Sequence, residues 1–160
     1  MYQFAPDPHQ TKPALYRELA DAAAALIAGE PDGTANMANL AALIWQFVPR
    51  LNWAGFYRVV EGELVLGPFQ GAPACIRIAF GQGVCGAAAA TGATQLVPDV
   101  HAFPGHIACD AASASELVVP VMRGGAVIAV IDLDSPELAR FDADDARGIE
   151  ALAAVIAAAI

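Results

Sequence analysis

A chain of 160 residues suits one domain with one core. Hydrophobic residues make up 57% of it, which excludes a disordered chain, and 17 acidic against 8 basic residues (net charge −9) argue against nucleic acid as the partner, because phosphate binding draws on clustered Lys and Arg. No run approaches a membrane span, and the opening MYQFAPDPHQ lacks the basic-then-apolar order of a signal peptide, so a cytoplasmic protein that binds no membrane is expected.

Residues 1–10 read as an N-terminal arm and 11–160 as the domain. Thr11 can cap a first helix with Pro13 in its first turn; Leu15, Leu19 and Leu26 mark its apolar face, and Gly29 and Pro31 stop it. A second helix starts near Thr34, carries Met37, Leu40, Ile44 and Phe47 at helical spacing, and ends at Pro49. A strand over 52–60, a Glu61-Gly62 turn and a strand over 63–66 follow. The period of two puts Trp53, Gly55, Tyr57 and Val59 on one face, as core or as the wall of an apolar pocket.

The stretch 67–110 is unusual. It holds all three cysteines and two of the three histidines, is rich in Gly and Pro, and reads mostly as loop, with short strands at 77–80 and 94–97 and a short helix over 86–91 that Cys85 precedes. Long loops in small domains tend to be functional. The Gly-x-Gly at 81–83 is not a dinucleotide fingerprint, since it lacks the full motif and its strand–helix–strand setting. The last third holds a strand over 116–122, a turn at 123–125, a strand over 126–134 and a helix capped by Asp142 with Asp144 and Asp145 in its first turn, where acids suit the helix dipole. The order predicts an α+β domain, an antiparallel sheet with helices on a face.

Two constellations carry chemistry. Asp132 and Asp134 share a face of an otherwise apolar strand. A three-residue turn at 123–125 would set Glu116 across from Asp132 on that face, whereas a two-residue turn would separate them. Crowded carboxylates have raised pKa values and mark acid/base sites; the plain alternative is a solvated sheet end. The second constellation is the cysteines. Each alone is more often a buried hydrophobe than a reactive thiol. Cys75 and Cys109, however, sit in Gly/Pro-rich loops, where an attacking and a resolving thiol can approach, while Cys85 is easier to read as packing. His101 and His106 could lower the pKa of Cys109, which Asp110 would oppose, or merely brace the loop. Zinc held by Cys and His is disfavoured because CxxC and HxxxH spacings are absent, so no metal is expected.

NWAGFY, GPFQGAPACIRI, GQGVCGAAAATGATQLVPDVHAFPGHIACD, SELVVPV and IDLDSP closely resemble the GAF-fold free methionine-(R)-sulfoxide reductases over roughly residues 11–160. The resemblance implies a GAF-like sheet with helices packed on it, a loop-covered pocket and often a homodimer. It implies Cys109 as the catalytic cysteine, Cys75 as the principal resolving cysteine and Cys85 as a third cysteine of less settled role. It implies Trp53 and Tyr57 around the substrate methyl group, and Glu116, Asp132 and Asp134 as substrate-contacting acids, with Glu116 and Asp134 the candidates for proton donation. The implied reaction reduces free methionine-(R)-sulfoxide through a cysteine sulfenic acid and a disulfide. Thioredoxin recycles the enzyme as external reductant, with no bound cofactor. The competing class is a GAF-type sensor with incidental thiols.

Overall fold

The computed structural model describes residues 6, 7, 9–105 and 111–160. Helix α1 (Lys12–Ile27) begins with Thr11 at its N-cap position, but the Thr11 side chain makes no capping bond, and a proline in the first turn sets the entry instead. Helix α2 (Gly33–Phe47) starts one residue before Thr34 and is capped by Asp32, whose carboxylate accepts from Thr34 N at 2.8 Å and Ala35 N at 2.9 Å. Helix α4 (Ala143–Ile156) starts with the expected Asp142 cap, closed into a capping box by Asp145.

Six strands form one antiparallel sheet: β1 (Trp53–Val60), β2 (Glu63–Gly71), β3 (Arg77–Ala79), β4 (Gln95–Val97), β5 (Ser115–Arg123) and β6 (Ala126–Ser135), in the order β3-β2-β1-β6-β5-β4. The 67–110 stretch is more regular than expected. Strand β2 runs five residues further, to Gly71, because the register shifts between Gly55 and Tyr57 and the ladder continues past Pro68. Helix α3 (Gly83–Thr91) begins three residues earlier, so Cys85 lies inside its first turn rather than before it. Gly86 allows this seating: a Cβ there would fall 2.5 Å from Ala79 O, where β3 ends.

Helices α1, α2 and α4 cover one sheet face. Leu19, Leu40, Ile44, Ile149 and Leu152 pack there on Phe56, Leu117, Ile131 and Leu133. The other face carries a smaller apolar cluster under α3 and the loops, including Trp53, Tyr57, Cys85, Val118 and Val130. Tyr57 and Val130 alternate with Phe56 and Ile131 across the sheet, so the same strands supply both layers. No described helix is long and apolar enough to cross a membrane.

Candidate active site

The sheet face opposite the three helices holds the acids, and its register differs from the one expected. The β5–β6 turn has two residues, Gly124-Gly125, with Arg123 paired to Ala126. Continued without interruption, that register would set Glu116 against Leu133 and separate the acids. Instead the ladder shifts by one between Val121 and Met122: Met122 pairs with Val127 but Val121 with Ala129, leaving Ile128 as an extra residue. Ile128 and Ala129 both belong to the helix side, and alternation resumes from Val130. The bulge restores the face lost at the turn. Glu116 therefore lies opposite Asp134, not Asp132, while Asp132 faces Val118. On the other side of β6, Trp53 pairs with Asp134 and Gly55 with Asp132.

Trp53, Tyr57, Cys85, Glu116, Asp132 and Asp134 thus line one cavity of about 530 Å³, its mouth included. Trp53 and Tyr57 are buried and stack at 5.9 Å between ring centroids. Phe69, in the part of β2 whose Gly/Pro content suggests loop, also stacks on Trp53, at 5.2 Å. Gly55 makes this possible, since a Cβ there would sit 2.4 Å from Phe69 Cβ and 2.8 Å from the Trp53 ring. The same aromatics also hold the segment bearing Cys75. Trp53 Nε1 donates to Ala72 O at 3.1 Å and the Tyr57 hydroxyl donates to Cys75 O at 3.0 Å. Cys75 is disulfide-bonded and Cys85 is free. Cys109, His106 and Asp110 lie outside the described residues. His101 is exposed on a 3-10 turn (Val100–Ala102) whose start is held by Asp99.

Burial dominates the electrostatics. Glu116 and Asp132 are each only 6% exposed. Burial, then the charges of Asp132 and Asp134, push the Glu116 carboxyl well above the usual carboxylate range. Burial also lifts Asp132, to about 6, against the opposing pull of hydrogen bonds from Cys85 and Glu116. The Cys85 thiol donates to Glu116 Oε1 at 3.9 Å; burial first, then Asp132 and Glu116, push it well up, so it stays protonated and is a poor nucleophile. Burial and the Asp132 charge likewise keep the Tyr57 hydroxyl neutral.

The cavity also meets groups of the opposite polarity. Gln82, Gly83 and Val84 line it, and they form the start of α3, which carries no side-chain cap and no acid in its first turn. First-turn N–H groups lack intrahelical partners and mark the positive end of the helix dipole. Ser113 also lines the cavity, its hydroxyl accepting from Asn52 Nδ2 at 3.0 Å. Neither feature was expected from the sequence pattern. The signal for the first was the Gly-x-Gly before a helix, since a helix start presents first-turn amides without intrahelical partners even without the dinucleotide motif. A cavity with an acidic wall, an electropositive helix start and an aromatic side can take a small zwitterion with an apolar tail.

These elements define a GAF-fold protein with an acid-floored pocket, and the GAF domain family matches residues 34–160. The chain belongs to that family, in the branch that contains the free methionine-R-sulfoxide reductases. It is 47% identical to the free methionine-R-sulfoxide reductase of Escherichia coli over 143 residues, 89% of this chain and 87% of that protein. The X-ray structure of free methionine-R-sulfoxide reductase from Neisseria meningitidis in complex with its substrate superposes with a TM-score of 0.91 at 45% identity, over 98% of this chain and 94% of the other. A Zymomonas mobilis relative, Protein ZMO0507, is 52% identical over 91% of both chains.

Proposed function

We propose that this protein reduces free L-methionine-(R)-sulfoxide to methionine, in the cytoplasm, with no bound cofactor. The observation that carries the reading is the acid trio, Glu116 and Asp132 buried and Asp134 half-buried, facing a stacked aromatic wall, in a chain so close to reductases of that substrate. The methyl and thioether end packs against Trp53 and Tyr57. The ammonium pairs with Asp132 and Asp134, and the carboxylate faces the amides that open α3.

The thiolate of Cys109 attacks the sulfoxide sulfur. The sulfoxide oxygen takes a proton, and Glu116 is the donor, because burial and two neighbouring carboxylates keep it protonated. The oxygen passes to the cysteine, methionine leaves, and Cys109 becomes a sulfenic acid. The Cys75 thiol attacks that sulfur, expels water and forms a disulfide. A thioredoxin-type dithiol then supplies two electrons and reopens it. Cys85 remains a thiol beneath the acids and holds them in place. A peptide-bound methionine sulfoxide lacks the free ammonium and carboxylate and would leave buried groups unpaired, so the site rejects it.

The test offers both epimers of free methionine sulfoxide, with thioredoxin and its reductase or with dithiothreitol. Turnover of the R epimer is expected, and its absence would overturn the reading in favour of a binding module. In Cys75→Ser, one equivalent of methionine should form per chain with no thioredoxin-driven recycling; normal recycling would remove Cys75 from the relay.

A further inference from the structure

We infer that the floor of the cavity is a binding site for a thiophilic divalent cation of the zinc class, with Cys85, Glu116 and Asp132 as its three protein ligands. Cys85 Sγ and one carboxylate oxygen from each acid all lie within 4.8 Å of one another, and the sulfur is 3.9 Å from Glu116 Oε1. All three side chains are buried, and among the described residues neither carboxylate has a cationic partner. Among the described residues, Asp132 Oδ1 is buried without a hydrogen-bond partner. An orphaned carboxylate oxygen is costly unless something positive visits it.

The donor set names the ion. Thiolate sulfur selects zinc-like over magnesium- or calcium-like cations, and zinc accepts mixed sulfur and oxygen ligands. Zinc bonds of about 2.0–2.3 Å, arranged tetrahedrally, separate neighbouring ligand atoms by roughly 3.5 Å. The trio's ligand atoms, within 4.8 Å of one another, need only draw slightly closer to reach that spacing. The Cys85 and Glu116 protons both leave for solvent as the bonds to the metal form, since a coordinating thiol is deprotonated outright and a ligating carboxyl binds as carboxylate. Three protein ligands leave the fourth position open toward the cavity, for water. Sequence spacing offers no hint of the site, because its ligands come from α3, β5 and β6.

Cadmium is the probe. In the double variant Cys75→Ser, Cys109→Ser the only thiol left is Cys85. Titration should give one cadmium per chain, with a thiolate-to-cadmium charge-transfer band in the ultraviolet. Adding Cys85→Ser should abolish the band, and adding Asp132→Asn should weaken binding by at least ~10-fold by calorimetry. Absence of the band in the double variant, or unchanged binding in Asp132→Asn, would overturn the inference. Neither measurement involves turnover, so the result does not depend on the proposed reaction.

Discussion

A carboxyl group buried beside two others keeps its proton at a pH where a surface carboxylate has lost it. Glu116 is in that position, with Asp132 and Asp134 on the neighbouring strand and almost no solvent contact. Glu116→Gln keeps the shape and removes the transferable proton. We expect kcat for free methionine-(R)-sulfoxide to fall by about 10²–10⁴-fold. In the wild type, the rate should decline as pH rises through the raised Glu116 value, and the variant's residual rate should lose that limb. A pH–rate profile of both enzymes checks this; an unchanged kcat would return proton donation to Asp134. Tyr57 acts on both sides of the site: its ring walls the pocket and its hydroxyl ties down Cys75 O. The pairing of Trp53 and Tyr57 on one face was legible from strand alternation alone. Their grip on the Cys75 segment was not, because a backbone carbonyl 18 residues away leaves no mark on a pattern of side chains.

At the scale of elements, the ladder slip that absorbs Ile128 keeps the acids on one face. A two-residue turn and a bulge at Ile128 together do what a three-residue turn would do alone. Deleting Ile128 removes the bulge and leaves a regular hairpin with Glu116 still facing Asp134. We therefore expect the deletion to fold and retain activity, at a cost of about 1–2 kcal/mol for the lost side chain, read by chemical denaturation. Inserting one alanine after Ile128 turns Asp132 and Asp134 toward the helices, and should abolish activity and the cooperative thermal transition. Helix packing has a comparable fixed point where α4 meets α1. A Cβ on Gly148 would lie 2.1 Å from Tyr16 Cγ, so the ring rests flat on the α4 backbone. Gly148→Ala should destabilise the fold by about 1–3 kcal/mol despite its better helix propensity, visible as a lower denaturation midpoint. Helix faces and the Asp142 cap could be read from periodicity and dipole chemistry. The bulge could not, because turn length and ladder slip compensate one another and leave the sequence pattern unchanged.

For the whole molecule, two groups of acids pull stability in opposite directions with pH. Glu116 and Asp132 have folded-state pKa values raised above their unfolded values near 4. The folded chain then holds more protons than the unfolded one, so stability falls as pH rises through that window, from about 4 to about 6 for Asp132. At pH 8 the Asp132 contribution opposes folding by on the order of 2–3 kcal/mol, and at pH 4 it is nearly absent. Asp142 is the reverse case. Hydrogen bonding from Lys12 lowers it to about 2, so its contribution is present above the unfolded value and is lost as pH falls through 2. Beside it, the buried Asp145 carboxylate is fully engaged by Lys12, Tyr16 and Arg140, tying α1 to the start of α4. We expect Asp132→Asn to raise the thermal midpoint at pH 8 and to leave it nearly unchanged at pH 4. A rise of equal size at both would show that burial of the charge is not the cause. The pocket acids thus reduce stability at neutral pH, and the helix-side acids hold the frame that tolerates them.

The sequence by itself determined the class of fold, the helix faces, the capped last helix, the aromatic pair, and the identities of the acids and thiols. All of these rest on local periodicity, local backbone preference or residue chemistry. Tertiary structure alone decided which acid faces which, how Cys85 sits beneath them, and that the start of α3 and Ser113 complete the pocket. Those facts depend on strand register and on contacts between residues far apart in the chain. A shift of one residue reverses a face while leaving every local pattern as it was.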